Sequence, residues 1–162
     1  MIRILRLIFL VRFLILTIIF ATTRCFFHLE SLWGPHSVDR FACSYAKLPR
    51  FNSRFIQPGT EAVDAFIQDW SPENNWLVPP ISLIGRVLKH MSDCKAVESL
   101  VVPLWKSAYF WPLLSNDRWH SPEFIVVCHW LYLPNRLDLF VKGKAKNKFF
   151  GTKAFKSRCL AV

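Results

Sequence analysis

Three carboxylates in the middle of this chain, Asp39, Asp64 and Asp69, are its first candidates for chemistry. Clustered carboxylates hold Mg²⁺ for nuclease-type hydrolysis. These three qualify by residue type alone, and Asp64 and Asp69 also read as loop and cap residues. The second candidate is a proline turn, Val78-Pro79-Pro80-Ile81, which stops an apolar run just ahead of a helical pattern. Cys128-His129 has the residue types of a metal pair. Zinc sites need four ligands, usually paired at short loop spacings. No partner pair is visible, so Cys128 and His129 read as packed strand residues and no metal is expected. His36, His90 and His120 read as surface or loop residues. The third candidate is a basic segment, Lys142, Lys144, Lys146, Lys148, Lys153, Lys156 and Arg158, interleaved with Phe149, Phe150 and Phe155. Such a pattern grips nucleic-acid backbone and stacks bases, binds acidic membrane, or stays a solvated tail.

The elements that must position these residues are legible in part. Ser37 to Ala42 and Asn74 to Val78 read as short strands, the second stopped by Pro79-Pro80. Ile81 to Cys94 reads as a helix, with Leu83, Ile84, Val87, Leu88 and Met91 along one face. The prolines ahead of it fit a helix start, where a missing N–H is harmless. Ser99 to Leu104 is a continuous apolar strand, and Glu123 to Leu133 a longer β-like run. Strand, helix, strand with apolar strands predicts a parallel α/β sheet. Chemistry in such sheets sits at the carboxyl ends of the strands, where Asp39, Asp69 and the Val78–Ile81 turn are expected.

Charge divides the chain into three parts. The formal net charge is +10 over 162 residues. Residues 1–24 hold four Arg and no acid, and residues 135–162 hold eight Lys or Arg against Asp138. Residues 25–134 hold nine basic and ten acidic residues. The basic character therefore lies at the ends, which directs them to polyanions and leaves the centre as the folded module. The expected organisation is a hydrophobic helix over 1–24, an α/β module over 25–134 and a flexible basic tail over 135–162. Five isolated Cys without a C-x-x-C read as reduced, packed thiols. Cys159-Leu160-Ala161-Val162 has the outline of a prenylation box, but Val is atypical at its last position.

Residues 2–21 are mostly Ile, Leu, Val and Phe, interrupted by Arg3, Arg6 and Arg12. Arg12 falls about 180° from Arg3 on a helical wheel, so no single polar face forms. About a dozen apolar residues at roughly −0.3 to −0.6 kcal/mol each outweigh about +3 kcal/mol for Arg12, so membrane insertion is marginally favourable. Three readings stay open for this segment. It is a signal-anchor with a cytosolic N-terminus, a cleaved signal peptide ending near Ala21 and Thr23, or translated flanking sequence joined to an unrelated fragment. Location follows from the choice: membrane if residues 1–24 act, cytoplasm or nucleus otherwise.

Between Trp33 and Leu114 the chain carries an ordered series of uncommon words. They are Val38-Asp39-Arg40-Phe41-Ala42, Leu48-Pro49-Arg50-Phe51-Asn52-Ser53, Asp64-Ala65-Phe66, Asp69-Trp70-Ser71, Asn75-Trp76-Leu77-Val78-Pro79-Pro80, Leu100-Val101-Val102-Pro103-Leu104-Trp105 and Phe110-Trp111-Pro112-Leu113-Leu114. This track resembles the region that follows reverse transcriptase and ribonuclease H in retroelement polyproteins of the tyrosine-recombinase type. The resemblance covers Phe27 to Leu114. More remotely, the track is similar to phage-type DNA N6-adenine methyltransferases. That similarity implies a small Rossmann-like fold, incomplete here, with Asp39 on the cofactor side and Val78-Pro79-Pro80-Ile81 as the amine-binding turn. S-adenosylmethionine is implied as cofactor only under that remote resemblance.

The residues themselves point away from catalysis. An amine-binding turn needs an Asn or Asp oxygen and an aromatic ring to stack on the base. Val78 offers no acceptor and Ile81 no ring. Trp76 could stack but precedes the turn, and no Gly-rich loop follows Asp39. No polymerase aspartate pair is present either. The expectation is a retroelement-derived, non-catalytic α/β module and candidate nucleic-acid binder. The alternatives are a small single-pass membrane protein carrying this module, and a nucleic-acid methyltransferase.

Overall fold

Residues 20–21, 23–42, 46–115, 131–133, 140–141 and 159–162 are described by the computed structural model. Their strands are β1 (Phe20–Ala21), β2 (Val38–Ala42), β3 (Phe51–Ser53), β4 (Ala62–Val63), β5 (Asn74–Leu77), β6 (Val97–Pro103), β7 (Leu131–Leu133), β8 (Phe140–Val141) and β9 (Cys159–Ala161). The α-helices are α1 (Thr23–Trp33), α2 (Ile84–Cys94) and α3 (Trp111–Ser115). The main sheet runs β4-β3-β2-β5-β6-β9-β7, and β1 pairs with β8 in a separate ribbon.

From β4 to β6 every pairing is parallel. β9 then runs antiparallel to both β6 and β7. The expected parallel sheet is therefore corrected to a mixed, mostly parallel one. The cause lies in residues 159–161, expected within a flexible basic tail. Cys159, Leu160 and Ala161 are instead buried in the sheet interior, and Val162 exchanges two backbone hydrogen bonds with Leu100. Three apolar residues are too few to announce a strand beside so much positive charge. Burial also removes Cys159 from the exposed position a prenylation box requires, and pushes its thiol pKa upward.

Alternation along the strands sends successive side chains to opposite faces. On β5 and β6, Trp76 and Val101 join Cys25, Phe26 and Leu29 of α1 in one cluster. Leu77, Leu100 and Val102 join Ile84, Val87, Leu88 and Met91 of α2 in the other, with Trp70, Phe110 and Leu114. Both faces are thus covered, which is why β6 reads as a continuous apolar run from Leu100 onward. In α2 the buried residues fall at i, i+3, i+4 and i+7, each contributing about 1.5–3 kcal/mol by burial. A 3₁₀ turn over Ile81–Leu83 precedes it, so the expected helix starts three residues late as a true α-helix. Its end is set by Lys95, whose left-handed φ of 51° lets its N–H reach the Met91 carbonyl.

The amino end departs from expectation. Phe20 and Ala21 form a strand and α1 begins only at Thr23, so a helix does not continue through 1–24. The boundary expected after residue 24 falls within α1. Residues 1–19 lie outside the described residues. Among the described residues no helix is long and apolar enough to cross a membrane. Most of the Glu123–Leu133 run is also outside them; Leu131–Leu133 is a strand.

Among the described residues, only the β5-to-β6 crossover between parallel strands contains an α-helix of ordinary length. Parallel neighbours normally need a crossover of a dozen or more residues, usually helical. Here residues 43–50 and 54–61 link β2 to β3 and β3 to β4, with no helix among their described residues. Among the described residues, no α-helix follows the carboxyl ends of β2, β3 and β4 before the next strand.

Candidate functional site

A cleft of about 430 Å³ opens beyond those carboxyl ends. Its walls come from Arg40, Phe41 and Ala42 of β2, from Ser53 of β3 with Arg54, Phe55 and Gln57 after it, and from Asp64, Ala65 and Phe66 after β4. Pro80, Leu83 and Arg86 complete it from the β5 turn and α2. β2, the link after β3 and α2 together place three arginines in one mainly apolar space.

Arg40 is the central group. Alternation on β2 turns it to the α2 face, where it is buried. Its Nε donates to Asn75 Oδ1 at 2.7 Å, Nη1 to Asn52 Oδ1 at 2.9 Å and Nη2 to the Asp69 carbonyl at 3.2 Å. Its guanidinium also lies 5.9 Å from the Trp70 ring centroid. All three hydrogen-bond acceptors are uncharged. Burial lowers the Arg40 pKa, opposed chiefly by the charge of Glu73. Asn52 accepts through Oδ1 while its buried Nδ2 has no partner among the described residues. Asn75 is saturated, its amide donating to the Trp70, Glu73 and Val97 carbonyls.

At the mouth, two arginines lie over phenyl rings. Arg86 is 3.9 Å from the Phe66 centroid and Arg54 is 5.2 Å from that of Phe55. Asp64 has a positive φ of 56°, and its carboxylate accepts the Phe66 N–H. It therefore caps a 3₁₀ turn, as one reading of the sequence held.

The sequence-expected residues are distributed differently from expectation. Asp39 is the second residue of β2, not its carboxyl end, and its buried carboxylate accepts the N–H groups of Phe41 and Lys47. Burial raises its pKa to about 6 against those hydrogen bonds. Asp69 lies ahead of β5 rather than beyond a strand end, and its carboxylate accepts Ser71 N–H and Oγ–H, which lowers its pKa. The Val78–Ile81 turn does follow the carboxyl end of β5. Val78, however, points away from the cleft into the α1 cluster, Pro79 is buried, and only Pro80 of the turn lines the cleft. Trp76 is buried against Phe26. Lys142, Lys144, Lys146, Lys148, Lys153, Lys156 and Arg158 lie outside the described residues, as do Cys43, His120, Cys128 and His129. Among the described residues no group of three His, Cys, Asp or Glu could hold a metal ion.

One constellation had no signal in the sequence. His36 Nδ1 meets the Glu30 carboxylate, and His36 Nε2 lies 2.7 Å from Ser99 Oγ. The order hydroxyl, imidazole, carboxylate is that of a nucleophilic triad. Of the two readings of His36, loop holds and surface is corrected: it lies in the loop ahead of β2 but is buried, tilted against Phe26 and edge-on to Trp76. Ser99 is only 1% exposed, so no substrate carbonyl can reach its oxygen. The cluster instead fastens α1 to the sheet, with Glu30 also accepting the His36 backbone N–H. His90 is half-buried, its ring centroid 4.5 Å from that of Trp70.

No protein-family model, no curated protein and no solved structure matches this chain. The fold and the site define a mixed α/β domain with a cationic, phenyl-lined cleft beyond its parallel strands.

Proposed function

We propose that the chain is a non-catalytic, Rossmann-like module of the kind that follows reverse transcriptase and ribonuclease H in retroelement polyproteins, and that it binds nucleic acid. The observation that carries this reading is the strand order. Counted from β2, the parallel strands run 3-2-1-4-5, the doubly wound order whose ligands bind at the reversal point. The Val78–Ile81 turn follows the fourth of them.

The side chains at that point support binding without methyl transfer. Val78 turns into the core and gives an adenine amine nothing to donate to. S-adenosylmethionine does not fit the residues present. Its sulfonium is a cation, and the cleft already holds Arg40 with no carboxylate bonded to it among the described residues. Arg54 over Phe55 and Arg86 over Phe66 suit a polyanion with stacking bases instead.

Fluorescence anisotropy of the full chain with labelled single-stranded DNA and RNA tests the reading. Binding at low salt that weakens as salt rises is expected, because phosphate contacts release counterions. No binding at low salt overturns it. So does methyl transfer from radiolabelled S-adenosylmethionine to DNA or RNA.

A further inference from the structure

The cleft carries more positive charge than its surroundings balance. Arg40, Arg54 and Arg86 line it against a single carboxylate, Asp64, which is engaged with the Phe66 N–H. Among the described residues no carboxylate lies within ion-pair distance of these three guanidinium groups. A buried cation without a countercharge is costly, and an arriving anion offsets that cost. Arg40 is buried with no carboxylate in contact; the nearby charges of Glu73 and Glu61, themselves paired with Arg50, oppose that cost without cancelling it. Beneath the cleft lining, beside Arg40, the buried Nδ2 donor of Asn52 is unpartnered among the described residues. The guanidinium of Arg86 lies over Phe66, a geometry that leaves edge N–H groups for a phosphate while its face covers the ring. Phe41 and Phe66 add a ring-lined space for a planar group.

The volume narrows the ligand. About 430 Å³ lies near the lower end of small-molecule sites, roughly 300–1,000 Å³, and suits one nucleotide rather than two. We propose that this cleft binds a single 5′-nucleotide, its base among the phenyl rings and its phosphate on the arginines. The inference rests on the nucleic-acid reading above and names the part of the nucleic acid that is held. The nucleotide comes from solution or from the 5′ end of a strand; both present the same aromatic group and phosphate.

Calorimetric titration of the full chain distinguishes these sources. The probes are adenosine and guanosine 5′-monophosphates, the matching nucleosides, and ten-nucleotide DNA strands with and without a 5′-phosphate. The phosphorylated member of at least one pair is expected to bind about tenfold or more tightly than the unphosphorylated one. Arg86→Ala and Arg54→Ala should each reduce that preference about fivefold or more, with an unchanged urea midpoint. Lys89→Ala, whose exposed ammonium pairs with Asp93 and does not line the cleft, should leave it intact. Preference for the monophosphates identifies a free nucleotide; preference confined to the phosphorylated strand identifies a strand end. Equal binding of phosphorylated and unphosphorylated partners overturns the inference. Strand binding that ignores Arg54 and Arg86 also overturns it while leaving the nucleic-acid reading intact. Absence of binding by every strand at low salt overturns the nucleic-acid reading, and absence of binding by the monophosphates as well removes both.

Discussion

On the amino-terminal side of the sheet, Glu30, His36 and Ser99 form a closed chain in which every ring nitrogen of His36 meets a partner. Within β2, at the floor of the cleft, Arg40 is equally buried, yet its acceptors are neutral and its neighbour Asn52 keeps an unused donor. Both regions bury polar groups, and the difference is saturation. A saturated network rigidifies and excludes water, so it serves the fold; an unsaturated one beside a cleft retains capacity for a ligand. Triad-like residue types thus mark structure here, while an unremarkable arginine marks the site.

The comparison breaks most forcefully at Gly34. A Cβ there would lie 2.4 Å from the Glu30 carbonyl oxygen and 2.7 Å from its Cδ, so α1 and the Glu30 carboxylate must shift. Gly34→Ala should lower stability by about 3 kcal/mol in urea titrations. An unchanged midpoint would show that the closed cluster is not a structural fastening.

His36→Ala should cost about 2–3 kcal/mol, since Ser99 and Glu30 lose their shared partner and a void opens beside Trp76. In the native chain, an activated-serine reagent such as a fluorophosphonate should leave Ser99 unlabelled. Labelling there, read by mass spectrometry, would reopen the nucleophile assignment.

At the turn, Val78→Asn restores the acceptor the methyltransferase resemblance calls for. It also buries an amide in the α1 cluster, so it should cost about 2 kcal/mol and confer no methyl transfer. Acquired activity in the radiolabel assay would mean the turn can face the cleft.

Titration offers a smaller effect. Burial raises the Glu98 pKa from 4.5 to about 8 and the Asp39 pKa from 3.8 to about 6. A raised carboxyl pKa means the folded state holds the proton more tightly. The stability Glu98 contributes is therefore complete below pH 4.5 and is lost as pH rises through about 8; for Asp39 the window is 3.8 to about 6. Glu98→Gln should stabilise the fold by about 1–2 kcal/mol at pH 9 and leave it nearly unchanged at pH 4. An equal effect of Glu98→Gln at both pH values would contradict the burial of the Glu98 carboxyl oxygen.

The smallest effect is expected from Arg50, which bridges Glu61 and Glu73 at 2.8 Å while half exposed. Arg50→Ala should cost less than about 1 kcal/mol and less still in high salt.

Much of the frame was legible because its signals are local. The α2 stripe repeats within one helix, and Pro79-Pro80 stops β5 where the sequence says it should. The Asp64 and Asp69 side chains bond residues two positions away, so the cap reading was available. The His36–Ser99 contact spans 63 residues and could not be read from either neighbourhood. The placement of β9 between β6 and β7 was equally hidden, because Cys159-Leu160-Ala161 gains its meaning only from the two strands that cover it.

Composition and pattern by themselves determined an α/β core with both sheet faces covered, and the apolar Val78 and Ile81 at the turn. Tertiary structure decided where the unbalanced charge sits. Arg40, Arg54 and Arg86 come from β2, the link after β3 and α2, and only the packing of these elements brings them to one cleft. Side-chain period sets which face a residue takes, but the company it keeps across the sheet depends on strand order, which no local spacing encodes.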